Sequence, residues 1–496
     1  MQIAYLQPFV SAAEDRSIDF FRSCFMPVCR PVRNKRPTHA TKSCPPRLLH
    51  FIQIKLILLM IRKGFLLLGV LFTVSLSFSQ NSPAKIISSD IDLFWRAYDS
   101  IRSTGDSLRQ LHLIQTMYLD KGSAGVKGFI KAKGYTAEKY VKCIRSYPKF
   151  WHSIRPNTYK VTSLTGQFEP AIKKLKALYP ALRPATIYFA IGAMQSGGTT
   201  KDSMVLIGAE LATGDEHTDI SELPPATQNW LSITFKKRPL DHIVLTNTHE
   251  YVHTQEKEPG DNLLAQCIYE GVCDFVAEQA TGKLPDLPVY TYGPAHADSL
   301  KAQFKVEMFG RMWRRWLYNF PRNGMPGDLG YYMGYSICRA YYQQARDKKQ
   351  AIKEMIETDF ADSTAVEAFL EKSAYYGGPV NKQALLKVYN ERRPYVTKIT
   401  PFANGDMTVD TSVKKLRVEF SAPMSANGVS VELGPGGRDQ NPIVGREGFS
   451  ADRKSIAFLI ALKPGHRYGF ILSDGSFRSE DDYPLAPFEV AFKTKE

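Results

Sequence analysis

Apolar residues recur at two different periods along the chain. Between residues 89 and 179 they are mostly spaced three and four apart, which is the pattern of amphipathic helices. A clear example is the run of apolar positions Ile91, Phe94, Trp95 and Tyr98. Short segments rich in β-branched and aromatic residues follow, separated by Pro, Gly and Ser. Three segments have this character: residues 158–165, 185–194 and 202–211. We expect them to form a small mixed sheet.

Helical spacing returns after residue 240, in the segment LDHIVLTNTHEYVHTQE. Asp241 is a suitable N-cap for this helix. The turn KEPGDN separates it from a second predicted helix over residues 263–280, whose end is marked by Gly282. Two further helical stretches are predicted within residues 297–320 and 330–356.

The pattern changes again near residue 396, where short alternating segments lie between Gly, Pro and Asp turns. About a hundred residues of this kind predict a β-sandwich. A chain of 496 residues is also too long for one compact core. The predicted fold class is therefore an α+β domain, helical with a small mixed sheet, over residues 80–395, followed by an all-β sandwich domain over residues 396–496.

The segment MIRKGFLLLGVLFTVSLSFSQNS resembles a secretory signal in composition. It has a basic start at Met60, an apolar run, and small residues before Gln80. We interpret residues 60–79 as a signal peptide and residues 1–59 as a mis-assigned upstream extension, which makes the protein secreted or periplasmic. The alternative is a membrane anchor built from the same apolar residues, although Lys55, Arg62 and Lys63 interrupt it.

The distribution of charge along the chain argues against a nucleic-acid partner. More than half of the net charge of +15 lies before residue 64, and no basic run interleaved with aromatic residues follows, so we expect no nucleic-acid partner. We also expect the mature protein not to span a membrane.

The cysteine content argues against a disulfide-stabilised fold. Four cysteines remain after the signal, too few and too scattered for a disulfide framework. They are Cys143, Cys267, Cys273 and Cys338.

The candidate chemistry lies in the HEYVH motif. On a helix, His249 and His253 are four residues apart and share one face, so their imidazoles can bind one Zn²⁺. Glu250 then lies beside the metal, where it can take a proton from a water molecule whose pKa the ion lowers. The alternative is a solvated helix with ordinary surface polar residues. The apolar residues around the motif favour a buried helix, in which these side chains require partners.

A catalytic zinc needs a third protein ligand and one open position. Glu270 lies seventeen residues beyond His253, far enough for the first helix to end and a second to return antiparallel to it. Asp274 is one turn further on and could accept a hydrogen bond from the second ring nitrogen of a ligand histidine.

The motif HExxH, followed by a glutamate on a second helix and an aspartate four residues later, resembles the gluzincin metallopeptidases. The segments HEYVHTQ, LLAQCIYEGVCDFVAEQATG and GYYMGY resemble more closely a bacterial family of predicted zinc-dependent proteases whose relatives include gliding-motility lipoproteins. The resemblance implies His249, His253 and Glu270 as ligands, Glu250 as general base, and Asp274 as a residue that orients a ligand histidine. The C-terminal region resembles secreted bacterial Ig-like domains, with FSAPM near its start and LKPGHRY later.

Two further roles follow from the resemblance. Gluzincins bind extended substrate along an edge strand before the active helix, for which MVLIGAEL is our candidate, with an ordinary interior strand as the alternative. They also use a Tyr or His to stabilise the oxyanion, for which Tyr332 and Tyr335, with His296 behind them, are candidates. Packing residues are the alternative for these tyrosines. The segment GAMQS lacks the Glu and Asn by which aminopeptidases of this group bind a free amine, so exopeptidase activity is not expected.

The expected function is that of a secreted zinc metallopeptidase acting on a peptide or protein substrate. The main alternative is a non-catalytic binding or envelope-assembly protein on a metallopeptidase scaffold. A third alternative is carbohydrate binding, which is suggested only by the predicted sandwich and its aromatic residues.

The signal-peptide interpretation makes a direct prediction. N-terminal sequencing of the exported protein should find Gln80 or a neighbouring residue, because the small residues before it form the expected cleavage site. A mature protein that begins at Met1 would contradict this interpretation.

Overall fold

A computed structural model describes residues 84–496, apart from positions 312, 320, 323, 427 and 428. The helices, numbered in chain order, are α1 (Ser89–Arg102), α2 (Ser107–Ile114), α3 (Ala124–Lys133), α4 (Ala137–Ser146), α5 (Pro148–Thr158), α6 (Thr165–Leu178), α7 (Ala209–Ala212), α8 (Pro225–Lys236), α9 (Ile243–His253), α10 (Leu263–Thr281), α11 (Val289–Ala295), α12 (Ala297–Glu307), α13 (Trp313–Trp316), α14 (Leu329–Gln344), α15 (Lys348–Glu357), α16 (Ser363–Lys372) and α17 (Lys382–Glu391).

The strands are β1 (Ala84–Ile87), β2 (Ala185–Ala190), β3 (Gly198–Lys201), β4 (Met204–Gly208), β5 (Val396–Thr400), β6 (Lys415–Phe420), β7 (Glu432–Leu433), β8 (Ile443–Phe449), β9 (Ser455–Ile460), β10 (Arg467–Leu472) and β11 (Phe488–Lys493). A helical part with a small mixed sheet thus precedes a β-rich part. At this level the predicted order of an α+β region and then a β region is confirmed.

The small sheet has the order β1-β2-β4-β3. Strands β1, β2 and β4 are parallel, and β3 is antiparallel to β4, with Gly198 opposite Ile207. The segments predicted at 185–194 and 202–211 supply β2 and β4. The predicted strand at 158–165 is wrong: residues Tyr159–Leu164 form a 3-10 helix. Its buried residues Val161 and Leu164 lie three apart, which is a helical spacing and not the alternation of a strand.

The edge strands of this sheet are β1 and β3, so the choice of MVLIGAEL as an edge was wrong. β4 lies between β2 and β3, as the interior-strand alternative proposed. Three consecutive residues of β4, Val205, Leu206 and Ile207, are buried. An unbroken buried run is typical of a strand covered on both faces. The edge strand β3, Gly198–Lys201, falls in a polar stretch that resembles a connecting turn.

Helix α9 begins later than predicted. Residues Pro239–His242 form a 3-10 turn, and His242 occupies the N-cap position of α9. Asp241 therefore does not cap the helix, and its carboxylate lies 3.2 Å from the Arg238 guanidinium. Helix α10 matches its prediction closely: the Asn262 side chain accepts from the backbone N–H of Ala265, and Gly282 ends the helix with φ 74°.

The β-rich region consists of two sheets, of order β11-β10-β7 and β5-β6-β9-β8. Their inward residues share one hydrophobic core, in which the Phe458 and Phe470 rings contact each other across the sheets with centroids 5.8 Å apart. The buried Glu307 links the helical part to this region, because its carboxylate accepts hydrogen bonds from Trp316 Nε1 at 2.6 Å and Tyr483 Oη at 3.0 Å. The predicted boundary at residue 396 and the Ig-like assignment stay predictions.

The described part of the chain contains no helix that is both long and apolar enough to cross a bilayer. The interpretations of residues 1–59 and 60–79 lie outside the described residues. The four cysteines after residue 84 are buried free thiols.

Helices α10 and α14 cross at two glycines. A Cβ atom on Gly334 would overlap the carbonyl oxygen of Cys267, and one on Gly271 would overlap the backbone of Gly334. Any side chain at either position would push the two backbones apart. This crossing therefore fixes the distance between α10 and α14.

Gly334→Ala should lower the free energy of unfolding by about 2 kcal/mol or more, because the added methyl group has no space in a close-packed crossing. Urea unfolding followed by circular dichroism measures this. Gly166→Ala in α6 is the matched control, since no atom lies within 4 Å of its Cβ position, and it should not destabilise the protein. Equal effects of the two substitutions would contradict the close-crossing explanation.

Candidate metal centre

The structure brings together the three side chains predicted to hold a metal. His249 and His253 project from one face of α9, and Glu270 reaches them from α10. The two histidine Nε2 atoms are 3.0 Å apart. Glu270 Oε2 lies 3.3 Å from Nε2 of His253 and 3.5 Å from Nε2 of His249.

These distances suit a shared cation. Two ligand atoms that each lie about 2.05 Å from a tetrahedrally coordinated zinc ion are about 3.3 Å apart. The three measured separations, 3.0, 3.3 and 3.5 Å, bracket that value. Two imidazole nitrogens and one carboxylate oxygen are also a usual donor set for zinc. The residues present therefore fit the ion.

The side chains of this cluster are almost completely buried, so their charged forms are costly unless each has a partner. His249 is 2% exposed and Glu270 is 4% exposed. Burial by itself disfavours the charged form of His249, yet the carboxylates of Asp274 and Glu270 raise its pKa overall. Burial also disfavours the charged form of His253, but the carboxylates of Glu270 and Glu256 raise its pKa well above the usual value.

Glu270 shows the complementary shift. Burial would raise the pKa of this carboxyl group, but the two imidazoles opposite it hold the pKa far below the usual range. Glu270 is thus a carboxylate that requires positive charge beside it. Protons on the histidines supply that charge, and a divalent cation would compete with those protons for the same place.

Asp274 lies where sequence analysis expected a residue that orients a ligand histidine. Its Oδ1 is 2.9 Å from His249 Nδ1, on the side of the ring that faces away from Glu270. Its Oδ2 accepts a hydrogen bond from the Tyr290 hydroxyl of α11. A carboxylate at Nδ1 fixes the tautomer that presents an unprotonated Nε2 to a metal.

Glu256 has the same relation to His253, and sequence analysis missed it. Glu256 Oε2 lies 2.7 Å from His253 Nδ1, and the side chain of this glutamate is fully buried. The sequence feature that could have identified Glu256 is its position three residues after His253, in the first turn beyond the helix. Each histidine thus has a carboxylate partner at Nδ1 and directs its Nε2 towards Glu270.

Cys273 is close to the histidines but on the other side of the cluster. Its Sγ lies 3.1 Å from Nδ1 of His253 and donates a hydrogen bond to Glu256 Oε2 at 3.2 Å. One ligand atom from each of His249, His253 and Cys273 falls within 4.8 Å of the others, so a second donor set exists. Cys273 faces the Nδ1 atom of His253, which Glu256 already contacts, whereas Glu270 faces the Nε2 atoms of both histidines. The geometry therefore favours the Nε2 side.

Glu250 lies on the face of α9 that approaches β3. It is 6% exposed, and a Cβ atom on Gly198 would lie 3.8 Å from its Oε1. The Lys133 ammonium at the end of α3 is near enough to respond to its charge: burial lowers the pKa of Lys133, and Glu250 partly opposes that shift. The predicted general base is therefore beside the edge strand and next in sequence to a ligand.

The predicted oxyanion tyrosines are not brought to the cluster. The Tyr335 hydroxyl donates to Glu278 Oε2 at 2.7 Å, two turns along α10 from Glu270, and the Tyr332 ring packs against Gly293. His296 stacks on Tyr292 with a ring separation of 3.8 Å. The structure gives each of these three side chains a partner outside the cluster, and their oxyanion role stays a prediction.

Two other tyrosines are near the cluster. The Tyr318 hydroxyl donates to Glu270 Oε1 at 2.7 Å, and the Tyr331 ring lies 6.5 Å from the His249 ring. Tyr331 and Tyr335 are four apart on α14 and share a face. The segment GYYMGY thus places its first tyrosine, Tyr331, near His249. No signal in the sequence singled out Tyr318.

Residues 131–319 match the model of a protein family described as gliding motility protein GldB. The matched stretch is less than half of the chain and contains all five residues of the predicted centre. No curated protein matches the chain.

Likeness to solved structures is weak. The crystal structure of CopC from Methylosinus trichosporium OB3b is 14% identical, covering 21% of this chain and 94% of that chain, with a TM-score of 0.15. The N-terminal part of the bacterial S-layer protein SbsC is 10% identical, covering 81% of this chain and 68% of that chain, with a TM-score of 0.16. Neither score is high enough to assign a fold.

Glu256→Gln should weaken zinc binding about 10- to 100-fold, because His253 loses the anionic partner that fixes its tautomer. Competition with a chromophoric chelator measures the affinity. Glu278→Gln is the control, since Glu278 is a glutamate of α10 whose carboxylate accepts a hydrogen bond from Tyr335 and, among the described residues, from no histidine. An unchanged affinity in Glu256→Gln would exclude this role for the residue.

Proposed function

We propose that this protein is a zinc-dependent peptidase of the cell envelope, with a zincin-like catalytic domain of the gluzincin type. The observation that carries the proposal is the convergence of His249 Nε2, His253 Nε2 and Glu270 Oε2 within 3.5 Å of one another. Such a set of three protein ligands leaves one vertex of a tetrahedron for solvent or substrate, which distinguishes catalytic from structural zinc sites.

His249, His253 and Glu270 would hold the ion. When bound, zinc supplies Lewis acidity towards a water molecule and a substrate carbonyl group. Glu250, which follows His249 directly, would accept the proton of the attacking water and pass it to the leaving amine. Asp274 and Glu256 keep both imidazoles in one tautomer throughout.

Substrate binding would use β3. This strand is one of the two edges of the sheet, and its first residue, Gly198, lies beside Glu250. An extended peptide could pair with the main chain of β3 in β-augmentation, which would bring its scissile bond along the face of α9.

A second function has one observation in its favour. The family model that matches residues 131–319 is described by its part in gliding motility and not by hydrolysis. An envelope-assembly protein could retain the buried cluster as a structural metal site. The two functions differ in one measurable respect, because only the enzyme turns over substrate. The envelope location is common to both and accords with the predicted signal at residues 60–79.

Glu250→Gln should reduce hydrolysis of a broad peptide library by about 10²- to 10⁴-fold while zinc content stays at the wild-type level, because the substitution removes only the proton acceptor. His253→Ala should instead lose the metal. Mass-spectrometric detection of cleavage and metal analysis of the purified proteins provide the two readouts.

Glu169→Gln on the exposed face of α6 is the control and should leave both readouts unchanged. Zinc-loaded wild-type protein without any hydrolysis would favour the assembly function. Full activity in Glu250→Gln would reject the proposed mechanism.

A further inference from the structure

A large cleft shares helices α9 and α11 with the candidate metal centre. It lies between α8, the first turn of α9, α11 and the chain between α13 and α14, and its volume is about 1110 Å³. Sites for small molecules usually measure about 300–1,000 Å³. The cleft therefore has room for several residues of an extended polypeptide.

One wall is an apolar stripe along α8. Ala226, Trp230 and Ile233 line the cleft at helical spacing, with the polar residues Asn229, Thr234 and Lys237 beside them. Leu231 and Phe235 are buried and point to the opposite side, into the protein core. Ile233 is 53% exposed, which is unusual for a large aliphatic side chain on a helix that already buries its other face.

The opposite wall is also apolar. Leu245, Leu287, Tyr292 and Met325 face the cleft. The cationic residues on its rim already have partners: Lys237 Nζ lies 3.3 Å from Asp286 Oδ2, and Arg322 Nη1 lies 2.7 Å from Asp482 Oδ2. The cleft thus has the character of a site for apolar groups and not for an anion.

Three elements of the cleft also build the metal centre. Leu245 and Thr246 line the cleft and lie four residues before His249 and Glu250, on the same faces of α9. Tyr290 of α11, between lining residues Pro288 and Thr291, donates to Asp274.

The third element is the chain between α13 and α14. Its Tyr318 donates to Glu270, and Arg322 and Met325 of the same segment line the cleft. A ligand in the cleft would therefore lie within one helical turn of the residues proposed to act on substrate.

We infer that this cleft binds apolar side chains of a polypeptide substrate, adjacent to the bond that is cleaved. The inference rests on the proposed function for the identity of its ligand as a peptide. Ile233 and Trp230 are then specificity-determining residues. The protein would select unstructured or extended segments rich in Leu, Phe or similar residues.

Peptide binding to the purified Glu250→Gln protein tests the inference without requiring turnover. The probe is a fluorescent ten-residue peptide containing three leucines, compared with the same peptide containing serines in their place. We expect the leucine peptide to bind at least about tenfold more tightly, and the additional substitution Ile233→Ser to remove about tenfold of that affinity, as burial of one aliphatic side chain predicts.

Leu108→Ser is the matched control, because Leu108 is 78% exposed on α2 and lines no part of the cleft. Equal binding of the two peptides, or an Ile233→Ser effect no larger than that of Leu108→Ser, would overturn the inference. Palmitate binding that depends on Ile233, together with peptide binding that does not, would assign the cleft to an acyl chain and also overturn it.

The outcomes separate the two proposals. Wild-type protein that binds the leucine peptide through Ile233 but cleaves nothing would reject hydrolysis and retain the cleft. Cleavage that is indifferent to leucine content and to Ile233 would retain hydrolysis and reject the cleft.

Discussion

The packing of α9 against α10 places two imidazoles and a carboxylate together inside an apolar core. Isolated polar groups of this kind are costly to bury, and charged ones more so. The arrangement is tolerable only because each group has a partner: His249 has Asp274, His253 has Glu256, and Glu270 has both histidines and Tyr318. The rest of the local structure serves to hold these partners in place.

The glycines at the crossing of α10 and α14 belong to the same constraint. Because neither Gly271 nor Gly334 carries a side chain, α14 lies directly against α10. That distance brings Tyr331 towards His249 while Tyr335 meets Glu278 further along. The crossing thus connects backbone packing with the choice of side chains around the centre, and the cleft shares α9 and the segment that carries Tyr318.

What the sequence could predict was local. The four-residue spacing of His249 and His253 defines one helical face, and the length of the turn before α10 makes an antiparallel return of Glu270 reasonable. Residues whose placement depends on how elements pack could not be found in the same way. Strand order decided that β3 and not β4 is an edge, and the rotation of α14 decided which tyrosine meets α9. Glu256 reaches His253 only because the chain turns immediately after the helix.

Charge balance explains why a divalent cation suits this cluster. Glu270 and Asp274 bring two carboxylates against two imidazoles that are neutral as free side chains near pH 7. Without a cation, the carboxylates hold protons on the imidazoles, which is the direction of the raised pKa values of His249 and His253. A single dication held by His249, His253 and Glu270 would supply the same two positive charges and would leave both rings as neutral ligands. Glu256, at Nδ1 of His253, would then strengthen that ring as a donor.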